Sequence, residues 1–315
     1  EFTSNLIEDL KRRDFTINAM AYNPTVGLVD AFDGIGDIEK KIIKTKGDKI
    51  LDKSLDKIGD KGLFVSEIER ELLEGTIDFA VHSLKDMPTK ISPGLKLAQT
   101  PERQDPRDVL VINPKHQLRP EDIMDWLRSN QGLKIGTGSK RRTSQLKRIN
   151  ESIQPMMIRG NIGTRLEKLV SQDLDAIVLA AAGINRLGMD SLNLYHFSYE
   201  EMIPACGQGA LAIEVRSNDE NTDRIFDFLA NDQACMEIEA ERTFLEVING
   251  GCHVPVGATV KKVGDKWVLM GMYGREDCSS IVYGQLDFEP SLGGAKKAGQ
   301  DLASYLIKSL EDRDK

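Results

Sequence analysis

Between Ile77 and Val215, short apolar runs alternate with segments patterned as helices, and that alternation leaves few folds open. Ile77–Val81, Leu95–Thr100, Val109–Ile112, Leu133–Ser139, Pro155–Asn161, Ala176–Ala182 and Leu211–Val215 read as strands, several of them ending in a turn. Between them, Pro120–Ser129 reads as a helix with proline in its first turn, Lys140–Asn150 as a helix capped by Ser139, and Gly163–Gln172 as another. Strands alternating with helices predict an α/β chain with mostly parallel sheets, whose ligands sit beyond the carboxyl ends of the strands.

The rhythm changes on either side. The run 46–62 is rich in Gly and Lys, too charged to pack, and predicts a mobile loop. Phe64, Ile68 and Leu72 then recur at helical spacing, predicting an amphipathic helix that ends near Gly75. After Val215 come two helices, Thr222–Ala230 and Ala234–Val247. Val254–Val263, Lys266–Met272 and Ser280–Phe288 then alternate apolar and polar residues across short turns, which predicts a three-stranded antiparallel sheet covered by the helix Gly294–Leu310. The length of 315 residues allows two or three domains. The expected division is 1–45, a segment of separate character; 46–112 with 204–217; 113–203; and 218–315.

Composition narrows the function classes. At 40% hydrophobic and 29% charged the chain reads as soluble, and no apolar run could span a bilayer, so no membrane partner is expected. The start, Glu1-Phe2-Thr3-Ser4, lacks a signal peptide and an initiator Met, so the true N-terminus is expected upstream. Cys206, Cys235, Cys252 and Cys278 show no C-x-x-C spacing, which argues against a zinc site or a disulfide scaffold and predicts a cytoplasmic protein. A net charge of −8 argues against nonspecific nucleic-acid binding by the whole molecule.

Local features say more. The strand Ile77–Val81 runs directly into His82-Ser83-Leu84-Lys85-Asp86, where ionisable residues reach a sheet's ligand edge. His82 reads as an orienting group and His253 has no assigned role. Residues 140–168 carry Lys140, Arg141, Arg142, Lys147, Arg148, Arg159, Arg165 and Lys168 against only Glu151 and Glu167. Arg141, Arg142 and Arg165 fall in first helical turns, where a cation opposes the helix dipole; guanidinium groups there suggest an anionic ligand. A solvated patch and an RNA-binding face are the rival readings, and the absence of interleaved aromatics weighs against single-stranded RNA. Finally, Asn249-Gly250-Gly251-Cys252-His253-Val254-Pro255-Val256-Gly257 displays a thiol in a glycine loop, although the local pattern alone favours a small residue in a tight turn.

These stretches together resemble the porphobilinogen deaminase (hydroxymethylbilane synthase) family from about Thr45 to Lys315. The likeness rests on Ala80–Pro88, Asp105-Pro106-Arg107-Asp108, Gly136–Arg142, Ile158–Leu166, Ala182–Gly188, Pro204–Ala210 and the Cys252 loop. It implies two periplasmic-binding-protein-like α/β domains and a C-terminal α+β domain, in a monomer. It also implies the joining of four porphobilinogen units, with loss of ammonia from each, to a linear tetrapyrrole for haem synthesis. By the same resemblance Cys252 carries a covalent dipyrromethane cofactor as a thioether and Asp86 is the catalytic carboxylate, facing a cationic azafulvene-like carbon. The resemblance further implies that Lys85, Ser83, Thr137, Ser139, Arg141, Arg142, Arg159, Arg165 and Arg186 bind cofactor and substrate, and that Lys61 and Phe64 belong to a mobile cover.

The front of the chain departs from that likeness. Arg12-Arg13-Asp14-Phe15-Thr16-Ile17-Asn18-Ala19 resembles a segment of the tRNA nucleotidyltransferase (CCA-adding and poly(A) polymerase) head domain, over about 6–45. The paired metal-binding aspartates of that family do not precede it, so no nucleotidyl transfer is expected. The resemblance implies that the deaminase family's opening strand, helix and second strand are replaced. The first domain would then be incomplete at its N-terminus, which leaves open an impaired chimera or an RNA-binding remnant.

Overall fold

The computed structural model describes residues 65–189, 191–249 and 254–313, with the strands β1 (Met20–Asn23) and β2 (Gly27–Asp30) of an N-terminal hairpin. The run 46–62, Lys61, Phe64, Cys252 and His253 lie outside the described residues. β1 and β2 pair antiparallel from Met20↔Asp30 to Asn23↔Gly27.

Three further sheets follow. In the first, β3 (Phe79–Ser83) and β4 (Leu95–Leu97) flank β10 (Leu211–Arg216), with the helix α1 (Ser66–Glu74) beside them. Gly75 ends α1 in the left-handed conformation, as its position predicted. The second sheet has the order β7-β6-β8-β5-β9, from β5 (Asp108–Ile112), β6 (Lys134–Gly136), β7 (Gln154–Met156), β8 (Ala176–Ala180) and β9 (Leu194–His196). Its helices are α2 (Ile123–Ser129), α3 (Lys140–Ile149), α4 (Ile162–Ser171) and α5 (Ala181–Arg186). After α6 (Glu220–Ile225) and α7 (Asp232–Ile248), β11 (Val256–Val263), β12 (Lys266–Gly274) and β13 (Ile281–Phe288) form an antiparallel meander, covered by α8 (Leu292–Asp312).

Two expectations change. The pairing is not mostly parallel: in the second sheet β6 runs parallel to β7 and β8 but β5 is antiparallel to β8 and β9, and the first sheet is antiparallel throughout, β10 pairing so with β3 and β4. Parallel pairing needs a local crossover, and β5 and β10 instead enter their sheets from another sheet. The boundary drawn at 112 also moves, because β5 lies in the second sheet. All five of its residues are buried, as a central strand covered on both faces must be.

That sheet carries two cores. Leu110, Ile112, Ile135 and Val178 face Ile123, Leu127, Leu146 and Phe197. Val109, Val111, Ile177 and Leu179 face Leu169, Leu174, Ala181 and Ile184 on the other side. The strict alternation along β5 and β8 fixes their register, since a one-residue slip would exchange the two faces. In the third unit Phe244, Leu269, Leu302 and Leu306 share one core. Burying each such side chain stabilises the fold by about 1.5–3 kcal/mol before chain entropy is counted.

Candidate active site

The parallel run β7-β6-β8 sends its carboxyl ends to one edge, and three turns gather there. After β6 come Thr137 and Ser139, after β7 Arg159, and after β8 the helix ending in Arg186. β5 runs the other way, and its register Asp108↔Ala180 puts its first residue at the same edge. Ser139 caps α3 as expected, accepting from the Arg142 backbone N–H at 3.4 Å, while the buried Thr137 hydroxyl accepts from the Ser139 N–H at 3.2 Å. α4 is capped by Asn161, which accepts from the Thr164 N–H at 2.8 Å.

The Ser139 cap opens α3 with Arg141 and Arg142 in its first turn, and both side chains turn inward. Arg141 and Arg142 are only 4% and 7% exposed, and both close on Asp108, which is 0% exposed. Arg141 Nη1 donates to Asp108 Oδ2 and to the Ile203 carbonyl, each at 2.6 Å. Arg142 donates to Asp108 Oδ1 from Nε (3.0 Å) and Nη2 (2.7 Å), and from Nη1 to the Val178 carbonyl at 2.9 Å. Gln208 Nε2 adds a bond to Asp108 Oδ1 at 3.1 Å. Burial alone would push the Asp108 carboxyl up; the two guanidinium groups and the Gln208 bond override it and hold the group well below the usual carboxylate range. Burial lowers the Arg142 guanidinium from its ordinary value, against the pull of Asp108.

Lys85 and Asp86 arrive from the first sheet. β3 runs to Ser83, two residues beyond the predicted strand, and a 3-10 turn Leu84–Asp86 follows. Leu84 donates its N–H to the Ala210 carbonyl at 3.0 Å, tying this turn to the segment that carries Gln208. Asp86 is exposed and Lys85 half-buried. Burial lowers the Lys85 ammonium below the ordinary lysine range; Asp86 opposes the shift, Arg142 adds to it, Asp108 opposes it and Arg141 adds to it. Burial lowers Arg165 as well, followed by Arg142, with Asp86 opposing and Arg159 adding. Arg165 is half-buried and donates from Nε to the Gly160 carbonyl at 2.7 Å.

Asp86 therefore acts electrostatically on Lys85, Arg142 and Arg165, Arg141 on Lys85 and Arg142, and Arg159 on Arg165. Ser83 ends β3 exposed beside them in sequence. Arg186 ends α5 at the same sheet edge, is exposed, and makes no hydrogen bond or ion pair with the described residues. The cationic stretch is not one solvated face: Arg141 and Arg142 are buried against Asp108, whereas Lys147 and Arg148 are exposed. His82 Nε2 lies 3.1 Å from Glu214 Oε2, both side chains being buried, which suits the orienting role read for it.

Sequence patterns missed two partners. Asp108 opens an apolar run and looked like a strand boundary; only the β5–β8 register brings it to the arginines. Arg103 forms a second buried centre, donating to Glu241 Oε1 at 2.7 Å and Oε2 at 2.9 Å and to Glu237 at 3.1 Å. No local motif marks that contact, since 138 residues separate Arg103 from Glu241.

The fold and these side chains define an α/β protein with a surplus of cations, and one exposed carboxylate among them, at the ends of its strands. The family model described as "Porphobilinogen deaminase, dipyromethane cofactor binding domain" matches residues 20–224, and "Porphobilinogen deaminase, C-terminal domain" matches 235–308. The porphobilinogen deaminase of Clostridioides difficile (strain 630) is 43% identical over 274 residues, covering 87% of this chain and 88% of that one. The Clostridium novyi (strain NT) enzyme of the same name is 43% identical over 279 residues, covering 86% and 89%. The chain belongs to the porphobilinogen deaminase family.

Among solved structures, the probable amino-acid ABC transporter extracellular-binding protein ytmK from Bacillus subtilis covers 66% of this chain and 82% of that one at 12% identity and a TM-score of 0.33. A likeness that low carries no argument, and the fold rests on the strand pairing above. The nucleotidyltransferase-like fragment expected at 1–45 is not supported by these comparisons, and the cofactor-domain match begins at residue 20, inside it. A short string of charged then apolar residues suits many strand entries, and here it leads into the β1–β2 hairpin. No helix among the described residues is long and apolar enough to cross a membrane.

Proposed function

We propose that this chain is a hydroxymethylbilane synthase, joining four porphobilinogen units with release of ammonia from each. The observation that carries the reading is the exposed Asp86 carboxylate set among Lys85, Arg142 and Arg165. Porphobilinogen bears acetate and propionate arms, so a growing chain gathers negative charge that these cations would meet. When the aminomethyl C–N bond breaks, ammonia leaves and the remaining carbon is cationic. On this reading Asp86 stabilises that charge and relays the proton. Arg141, Arg142, Arg159, Arg165 and Arg186, with Thr137, Ser139 and Ser83, hold the carboxylates, while Lys61 and Phe64 belong to a cover over the site.

The cation surplus fits a dipyrromethane, whose carboxylates need partners of this kind. Bound through a thioether to Cys252, that group would supply the primer for chain growth. This reading also takes the enzyme as a cytoplasmic monomer. It divides the chain into a first α/β domain up to the crossing near 99–107 together with 204–217, a second from β5 to 203, and a third over 218–315.

Incubation with porphobilinogen tests the proposal. The expected result is hydroxymethylbilane together with an acid-stable mass gain on the protein, absent from Cys252→Ser. Asp86→Asn should keep the mass gain and lose about 10²–10⁴-fold in kcat. A chain that gains no mass and forms no product would overturn the assignment.

A further inference from the structure

We propose that Asp108 is a positioning residue of this site, its single carboxylate holding both guanidinium groups of Arg141 and Arg142 where the ligand's carboxylates bind. The inference rests on the function proposed above. Both Asp108 oxygens are engaged, Oδ2 by Arg141 and Oδ1 by Arg142 and Gln208. The Ile203 and Val178 carbonyls then fix the far side of each fork. Two adjacent buried guanidinium groups repel, and without a shared anion at least one must turn away. One carboxylate between two arginines also leaves one positive charge unmatched, so the pair is held in place without losing its attraction for anions. Arg141 keeps Nε and Nη2, and Arg142 one N–H on each terminal nitrogen, without a partner among the described residues.

Simple charge counting and positioning predict opposite results. Removing an anion should tighten binding of an anionic ligand if only net charge matters, and should weaken it if Asp108 orients the arginines. Asp108→Glu separates the two cleanly, because it keeps the charge and lengthens the arm by one methylene. The probe is a pyrrole with acetate and propionate arms and no aminomethyl group, titrated by calorimetry into the holoenzyme. Porphobilinogen turnover is measured beside it. Losing one charge-assisted contact corresponds to about tenfold or more in affinity. We therefore expect Asp108→Glu and Asp108→Asn each to raise Kd for the probe, and KM for porphobilinogen, by about that factor.

In Asp108→Asn alone, the alkaline limb of kcat/KM should also move to lower pH. Lys85 is faced by Asp86, Arg142, Asp108 and Arg141, and losing the Asp108 charge removes one of the two groups that keep it protonated. A purely structural carboxylate would lower the melting temperature and leave Kd and KM of the folded variants at wild-type values, which overturns the proposal. Binding that becomes tighter in Asp108→Asn also overturns it. If Asp108→Asn shows no cooperative unfolding transition, Asp108→Glu decides by the same Kd and KM. A wild-type protein that neither turns over porphobilinogen nor binds the probe refutes the reading of the site itself, and the assignment of Asp108 with it. An active wild type with unchanged Asp108 variants refutes this inference alone.

Discussion

Placement at a strand's end was legible for single residues; partnership was not. Asp86 and Lys85 were marked by ionisable residues following an apolar run, and the structure puts them in a turn directly after β3. The arginines were marked by their turn positions, but those same positions gave no sign that Arg141 and Arg142 would be buried together, because their shared anion comes from a strand more than 30 residues earlier. The cysteines follow similar logic. Cys206, in a glycine-rich turn, is buried, and burial first, then Glu241, pushes its thiol up to about 12. A raised thiol pKa disfavours thiolate at every pH below it, so at pH 8 only about 1 in 10⁴ Cys206 side chains would be ionised, against about a quarter for an ordinary thiol. Cys235 and Cys278 are only partly buried. Iodoacetamide at pH 8 should therefore label Cys235 and Cys278 in the folded protein and reach Cys206 only after denaturation, as peptide mass mapping would show. Labelling of Cys206 at a rate matching Cys278 would contradict the burial seen here.

Elements with a clear period were readable at the next scale. α3, α4, α7 and the three strands of the meander fall within a few residues of their expected bounds, because caps and alternation are local signals. α5 was hidden: Ala181-Ala182-Gly183-Ile184 continues the apolar run of β8 with no polar break, and such a run cannot be divided between strand and helix by period alone. β9, three half-buried residues, offered no alternation to read. The α7–α8 contact was hidden for another reason, since it depends on a missing side chain. A Cβ on Gly299 of α8 would lie 2.5 Å from the Ala240 carbonyl oxygen and 2.9 Å from the Phe244 nitrogen of α7. Both are backbone atoms and cannot rotate aside, so the helices would have to separate. Overpacking of this kind costs about 1–3 kcal/mol, against roughly 1 kcal/mol gained from alanine's better helix propensity. With two backbone contacts the upper part of that range applies, and Gly299→Ala should lower the urea midpoint with an unchanged m-value. An unchanged or raised midpoint would mean that the helices shift apart freely.

The whole molecule is tied together by buried charge between distant segments, and that is the least legible scale of all. Arg103, on the segment crossing from the first sheet to β5, is enclosed and bidentate on Glu241 of α7, whose carboxylate keeps the guanidinium firmly protonated despite its burial. Glu241 also accepts from the Gly207 N–H at 2.8 Å and from the Val260 N–H of β11 at 3.1 Å. One carboxylate thus joins the crossing segment, the returning segment before β10, and the third unit. Arg103→Met would leave Glu241 buried without its counter-charge, which costs about 3–5 kcal/mol. Adding Glu241→Gln should recover part of that loss, because a neutral amide no longer buries an unpaired charge and its carbonyl can still accept one of the two N–H groups. Coupling can be followed separately from stability because the chain's two tryptophans, Trp126 and Trp267, pack on different cores. In Trp126→Phe and Trp267→Phe backgrounds with Arg103 intact, fluorescence should report one common urea midpoint. With Arg103→Met the Trp267 transition should separate from that of Trp126, since the link between the crossing segment and α7 is the one removed. If both tryptophans still unfold together at a lowered midpoint, the ion pair stabilises the molecule without coupling its parts, and the connection must run through the apolar contacts of α7 and β11 alone.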